Sequence, residues 1–299
     1  MIATERLDDE RRRATLIGAG AVLLWGTLAV LTLGTGDIPP FQLVAMTFAL
    51  AFALALCKWV ARGQPVARQF RQPARAWAIG VGGLFGYHFC IYAALKNAPP
   101  VEANLLNYLW PLLIVLFSAA LPGNPLRARH ILGGLAGFAG TVLLLGGGGA
   151  LSLESGAAFG YGAALLAALI WATYSVANSR LTNVPTDAVG AFCLATAGLA
   201  AVSHLAFEAT VVPNGAETLA ILALGIGPAG GAFFLWDYGL KRGSVRALGT
   251  AGYAAPLVST ALLIAFAGAG YTVATVLGGT LVVGGAALAA GDMFRRSPI

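Results

Sequence analysis

Charge is scarce in this sequence: Asp, Glu, Lys and Arg make up 10% of the 299 residues, and 58% are hydrophobic. Soluble globular proteins carry about 25% charged residues, because a water-facing surface needs them. A water-soluble domain is therefore excluded, and much of the surface must face lipid. Cysteine is scarce as well. Cys57, Cys90 and Cys193 sit singly inside apolar stretches and read as small buried hydrophobes rather than a metal site. The histidines are His88, His130 and His204, with no HExxH pattern and no paired ligand spacing, so no metal is expected. No glycine-rich loop ends in Lys-Ser or Lys-Thr, which leaves ATP out as a driving force. Gly18-Ala-Gly20 lacks the third glycine and the preceding strand of a dinucleotide fingerprint. No cofactor is expected.

What is present is apolar length. A membrane-spanning helix needs about 20 mostly apolar residues, and ten stretches qualify: 14–34, 40–60, 76–96, 101–121, 129–148, 156–179, 187–207, 216–240, 246–267 and 271–290. The fold class expected is all-α integral membrane, with ten transmembrane helices. The first stretch follows Arg11–Arg13 as a signal peptide would. It lacks a clear small-residue cleavage site and nine more spans follow, so it reads as a retained helix.

The net charge of +6 is explained by topology rather than by nucleic acid. With the N-terminus cytoplasmic, that side receives Arg6, Arg11–Arg13, Lys58, Arg62, Arg68, Arg71 and Arg75. It also receives Arg127, Arg129, Arg180, Lys241, Arg242, Arg246, Arg295 and Arg296. Of 18 Lys and Arg residues only Lys96 falls on the other side. Basic residues are retained in the cytoplasm during insertion, so the bias supports both the count and the direction, with both termini cytoplasmic.

The sequence repeats itself. At an offset of about 145 residues, Lys96 falls on Lys241, Tyr108 on Tyr253 and Pro111 on Pro256; at 146, Trp25 falls on Trp171. This divides the chain into a tail 1–13, a first five-helix repeat 14–148, an external linker 149–155, a second repeat 156–290 and a tail 291–299. Five is odd, so the second half enters the membrane from the opposite side. Inverted repeats give one fold two related conformations and put the site at their midplane interface.

Several residues unusual for lipid fall near mid-depth: Trp25, Tyr87, His88, Trp110, Pro111, Trp171, Pro228 and Pro256. Lipid-facing Trp and Tyr prefer the headgroup boundary, so these rings point to an interior cavity, with helix packing as the plainer reading. Asn104, Asn107, Tyr108 and Pro111 share one face of helix four. Buried amides are costly unless hydrogen-bonded, so that face should look inward. Helix six repeats the design with Trp171, Tyr174 and Asn178. The substrate-binding candidates are Tyr87, His88, Asn107, Tyr108, Trp110, Trp171, Tyr174, Asn178 and, by the repeat, Tyr253. Pro111, Pro228 and Pro256 are candidate hinges, or fixed kinks, beside that site. His88 could carry a proton or hydrogen-bond Tyr92. Asp237 could pair with Lys241 at i, i+4. Gly133-xxx-Gly137 suggests close helix packing or a weak dimer contact, leaving a monomer or weak homodimer open.

On these residues the chain resembles the drug/metabolite transporter superfamily, in its ten-helix EamA-type branch. Asn107-Tyr-Leu-Trp-Pro111 is the most specific match, followed by Ile170-Trp-Ala-Thr-Tyr174 with Asn178, and by Trp236-Asp237, where the family more often has Asn. Within the branch the exporters of aromatic amino acids are most similar. The resemblance implies a bacterial inner-membrane exporter of small molecules, working by alternating access. It implies a cavity lined mainly by helices one, three, four, six, eight and nine, with helices five and ten peripheral. Trp110, Trp171 and Tyr87 would meet an aromatic side chain, and Asn107, Tyr108 or His88 the polar end. The alternatives are an exporter of organic cations or other metabolites on the same fold, an intramembrane enzyme, and a scaffold. An enzyme needs a nucleophile or metal set beside His88, and none is recognisable. A scaffold leaves the central aromatics unexplained. With no clear sodium site or chain of acids, facilitated diffusion and proton antiport both remain open.

Overall fold

The computed structural model describes residues 2–146, 154–267 and 272–289. Of the expected linker 149–155 only 154 and 155 fall among them, and the expected tail 291–299, with Arg295 and Arg296, lies outside them. Every regular element among the described residues is helical.

The ten helices follow the apolar stretches. They are α1 (Ile2–Gly26, resuming as Leu28–Leu33), α2 (Pro40–Ala61), α3 (Ala74–Asn97) and α4 (Pro100–Asn107, resuming as Trp110–Phe117). Then come α5 (Ala128–Gly146), α6 (Ala158–Asn178), α7 (Val189–Phe207) and α8 (Gly215–Ile226 and Ala232–Arg242). The set closes with α9 (Val245–Ala251 and Ala254–Ala267) and α10 (Val273–Ala289). Nine of these spans are long and apolar enough to cross a membrane, and α10 is a shorter apolar helix of 17 described residues. Paired prolines open α2 and α4, with Pro40 and Pro100 in the first helical turn, where the missing N–H costs nothing.

Four helices that read as continuous are interrupted. Helix α1 breaks at Thr27, α4 after Asn107, three residues before Pro111, and α9 at Gly252–Tyr253, three residues before Pro256. The two halves of α8 are joined by a π-helical turn, Gly227–Gly231, which contains Pro228. A proline removes one amide donor and crowds the preceding turn, so the break falls on its N-terminal side. The basic run Arg11–Arg13 lies within the first helix, which begins at Ile2.

The closest helix pairs all cross between halves: α1 with α8 and α9, α2 with α7, α6 with α3 and α4, and α5 with α10. This is what a twofold axis requires. Exchanging each helix with the one five places on carries α1–α8 onto α6–α3 and α1–α9 onto α6–α4, and returns α2–α7 and α5–α10 to themselves. The inverted repeat is therefore a packing relation as well as a sequence one, and the interior lies between the halves. Because lipid covers the outside, large apolar residues such as Leu205 and Phe266 are freely exposed. Exposure also corrects one expectation: Cys193 is buried, but Cys57 is exposed and Cys90 half-buried.

Helices α5 and α10 meet backbone to backbone. A Cβ on Gly133 would sit 2.5 Å from the Gly285 carbonyl oxygen, and one on Gly285 would sit 2.5 Å from that of Gly133. The glycines that suggested a dimer face are thus used inside the chain, since Gly137 in turn receives the ring of Tyr253. Close backbone approach is what small residues provide where lipid removes the hydrophobic drive between helices. Gly133→Leu is expected to force α5 and α10 apart and destabilise the fold by about 1–3 kcal/mol. Thermal unfolding in detergent measures this, and a melting temperature equal to that of the unmutated chain would refute the assignment.

Candidate functional site

A cavity of about 1280 Å³ lies between the halves. Its mouth is formed by the connections after α1, α3 and α7, including Thr35, Gly36, Lys96, Asn97 and Glu208. It therefore opens at the end of the bundle opposite the loops that carry Arg62, Arg68, Arg71 and Arg180. Its depth can be followed along each helix. On α6 the lining stops at Trp171 and on α8 at Phe233, while α1 enters it at Trp25 and α4 leaves it at Trp110.

Those residues form a floor. Trp25 lies 5.5 Å from Trp171, 6.2 Å from Trp110 and 5.0 Å from Trp236 between ring centroids. Trp171 stacks on Trp236 at 6.4 Å and meets Trp110 edge-on at 6.5 Å. Four helices, two from each half, each supply one indole. Edge-on and offset contacts of this kind add about 0.5–1.5 kcal/mol beyond the area they bury. The indole donors are used as well: Trp25 Nε1 donates to the Pro228 carbonyl at 3.1 Å and Trp236 Nε1 to Ser175 Oγ at 3.2 Å. The first of these ties α1 to the π-helical turn of α8. Trp110 reaches its place because residue 252 is glycine, and any Cβ there would collide with the indole ring.

Six of the nine sequence candidates line this cavity: Tyr87, His88, Asn107, Tyr108, Trp110 and Trp171. Asn107 Nδ2 donates to the Tyr87 hydroxyl at 3.1 Å, while its Oδ1 has no partner and is buried. Tyr87 packs 5.2 Å from Trp171. His88 corrects an expectation. Its Nδ1 bonds the Leu84 carbonyl at 2.7 Å, not Tyr92, and its ring stands edge-on to Phe48 at 5.2 Å. Of the proline hinges only Pro228 lines the cavity; Pro111 and Pro256 lie behind it.

Three candidates do not line the cavity. Tyr174 lies one turn beyond Trp171, on the far side of the floor, and packs on Gly83. Tyr253 is fully buried against Gly137. Asn178 is deeper still, where its Nδ2 donates to Asp237 Oδ1 at 2.8 Å. The same oxygen accepts from Lys241 Nζ at 2.7 Å, and Lys241 also donates to the Val184 carbonyl at 3.0 Å. The side chains of Lys241 and Asp237 are only 4% and 1% exposed, and Asp237 Oδ2 has no hydrogen-bond partner. Below the tryptophans the basic end is thus sealed a second time, by a buried ion pair with an amide. Phe48 and Phe233 complete the aromatic core without having been singled out by sequence pattern, since Phe is unremarkable in any span.

At the mouth Glu208 grips the start of α2. Its Oε1 accepts the Phe41 amide at 2.9 Å and its Oε2 the Gln42 amide at 3.1 Å, with His204 Nδ1 2.9 Å from Oε2. A carboxylate at a helix N-terminus satisfies donors that the helix itself cannot. Among the described residues no group of three His, Cys, Asp or Glu could hold a metal ion.

One aromatic-floored cavity between inverted repeats, open at one end and sealed at the other, is the arrangement of a membrane transporter. Residues 12–146 and 158–291 each match the EamA-like transporter family, so the chain belongs to that family, with one copy in each half. It is 52% identical to the aromatic amino acid exporter YddG of Ancylobacter novellus, over 93% of this chain and 97% of that protein. It is 25% identical to the YddG exporter of Escherichia coli, over 93% of this chain and 97% of that one. A crystal structure 51% identical in sequence superposes with a TM-score of 0.90, covering 95% of this chain and all of that one.

Breaking a buried ion pair from one side leaves an uncompensated charge, at a cost of about 3–5 kcal/mol. Asp237→Ala is therefore expected to lower stability by that order in thermal unfolding. Asp237→Ala combined with Lys241→Met should recover most of the loss. A double variant as unstable as the single one would show that the pair is not the source.

Proposed function

We propose that this protein exports aromatic amino acids, and related small metabolites, through the central cavity by alternating access. The observation that carries the reading is the floor: Trp25, Trp110 and Trp171, with Tyr87 beside them, present ring faces and edges to one end of a cavity wide enough for an amino acid. An aromatic side chain would stack there. Asn107, whose Oδ1 is otherwise unpartnered, and Tyr108 or His88 would meet the amino and carboxyl groups. Identity to the A. novellus exporter over nearly the full length of both chains supports the same substrate class.

The charge bias supports a bacterial inner-membrane location with both termini cytoplasmic, so the open mouth faces outward and the Asp237 seal faces the cytoplasm. The repeats are taken as 14–148 and 156–290, with 149–155 external, and Pro111, Pro228 and Pro256 as the bends about which the halves adjust. A free Asp237 carboxylate could attract an organic cation; its pairing with Lys241 removes that attraction. Membership of a transporter family argues against the enzyme alternative.

Reconstituted vesicles test the reading. Saturable tryptophan flux is expected, and its absence would overturn the proposal. Trp171→Ala should raise the KM for tryptophan about tenfold, the equivalent of one stacking contact. It should change that for a small aliphatic amino acid much less. An imposed pH gradient separates the two coupling schemes: facilitated diffusion leaves the initial rate unchanged, and proton antiport accelerates it.

A further inference from the structure

A second cavity, of about 530 Å³, lies at the basic end beyond the Asp237 seal. Arg68 and Arg71, from the connection between α2 and α3, form one wall. Thr182 and Asn183, between α6 and α7, form another, and Lys241 with Arg242, at the end of α8, form the third. Among the described residues no acidic side chain lines it. The neighbouring acid Asp187 is already committed to Lys58. Arg242 is held in place by its guanidinium, 4.6 Å over the Tyr238 ring. Three guanidinium groups and the Asp237-paired Lys241 thus surround one polar hollow, a gathering of positive charge that an anion would relieve.

Lys241 belongs to two places at once. It lines this hollow, and it is the cation that pairs with Asp237 beneath the tryptophan floor. Its amino group is bound by one carboxylate oxygen and one carbonyl, leaving a third donor hydrogen for a further acceptor. An anion arriving in the hollow would therefore compete with Asp237 for the residue that keeps the basic end shut.

We infer that this hollow is the loading site for the carboxylate of an amino acid about to be exported, and that its contact with Lys241 loosens the Asp237–Lys241–Asn178 seal. The inference rests on the amino acid export reading above. A substrate carboxylate is favoured over a lipid headgroup because all three walls are end connections of the bundle, which face water rather than the lipid-facing sides. Arg68 and Arg71 supply bidentate donors suited to a carboxylate, and Asn183 a neutral one. Transfer to the inner cavity then needs the pair to part and the tryptophans to separate. The aromatic ring is selected afterwards, at the floor.

The test is sided transport. Proteoliposomes of known orientation are loaded so that tryptophan enters from the basic end or from the open mouth, with unmutated protein and with Arg68→Gln combined with Arg71→Gln. These arginines are exposed, so the fold should tolerate the change. The double variant is expected to raise the KM about tenfold from the basic end, the loss of one charge-assisted contact, and to leave the KM from the mouth unchanged. Tryptamine, which lacks the carboxylate, should show no sided effect. Equal changes from both ends, or none, would overturn the inference while leaving tryptophan export intact. A sided effect that appears only in vesicles containing anionic lipid, and is absent in phosphatidylcholine alone, would assign the hollow to a headgroup and also overturn it. No flux in the unmutated protein would remove the export reading, and this inference with it.

Discussion

Backbone hydrogen bonding in a medium without water governs where this bundle can be irregular. An amide or carbonyl freed by a helix break costs several kcal/mol in hydrocarbon unless a neighbour satisfies it. The breaks here fall at Thr27, after Asn107, at Gly227–Gly231 and at Gly252–Tyr253. Each lies within a few residues of a side chain lining the cavity: Leu28, Tyr108, Pro228 and Ala255. Local partners absorb the freed groups. The Thr27 amide and hydroxyl both donate to the Leu24 carbonyl, and Trp25 Nε1 takes up the Pro228 carbonyl. The breaks therefore imply the cavity. Without the cavity the breaks would lie in lipid.

The sealed end shows the same medium acting on charge. Asp237 and Lys241 gain attraction in low dielectric, but both lose hydration, so such a pair contributes little net stability against well-packed apolar residues. Its value lies in discrimination between arrangements. The pair holds only while α6, α8 and the connection at Val184 are together, because Asn178 and the Val184 carbonyl complete it. Separation exposes an unpaired charge at once, so partial opening is disfavoured relative to either end state.

Much of this architecture was legible in the residues, and the failures have physical causes. The offset of 145–146 residues found Trp25 with Trp171, and both stand on the cavity floor. The same offset paired Tyr108 with Tyr253, yet Tyr108 lines the cavity and Tyr253 packs on Gly137. An inverted repeat conserves which elements pack together, not which rings a cavity reaches. Of the α4 face, Asn104, Asn107 and Tyr108 look inward, and Pro111 lies behind the cavity. On α6 the face was equally well chosen, but periodicity gives direction around a helix and not depth along it. Trp171 therefore reaches the cavity, and Tyr174 and Asn178 pass below the floor. The π-helical turn of α8 adds one residue to a turn and leaves no periodic trace, so Pro228 marked its place but not its geometry.

The twofold relation also shows where the halves differ. At the offset of 145, Asp237 falls on Tyr92 and Lys241 on Lys96, while at the 146 that relates α6 to α1 Asn178 falls on Thr32. In the structure Tyr92, Lys96 and Thr32 all border the open mouth. The positions that seal the basic end are thus the symmetry mates of positions that now stand apart at the other. Rocking the halves about the axis would bring the second set together, as an inverted repeat requires. The second set holds a phenol and a hydroxyl where the first holds a carboxylate and an amide, so closure of the mouth cannot rest on a buried ion pair between these positions. Closing it must draw on apolar packing and on groups such as Glu208, which already ties α2 to the segment after α7. The two closed forms are therefore built from different interactions. The fold repeats its architecture, and the unequal side chains at its two ends let each end be closed with a different strength.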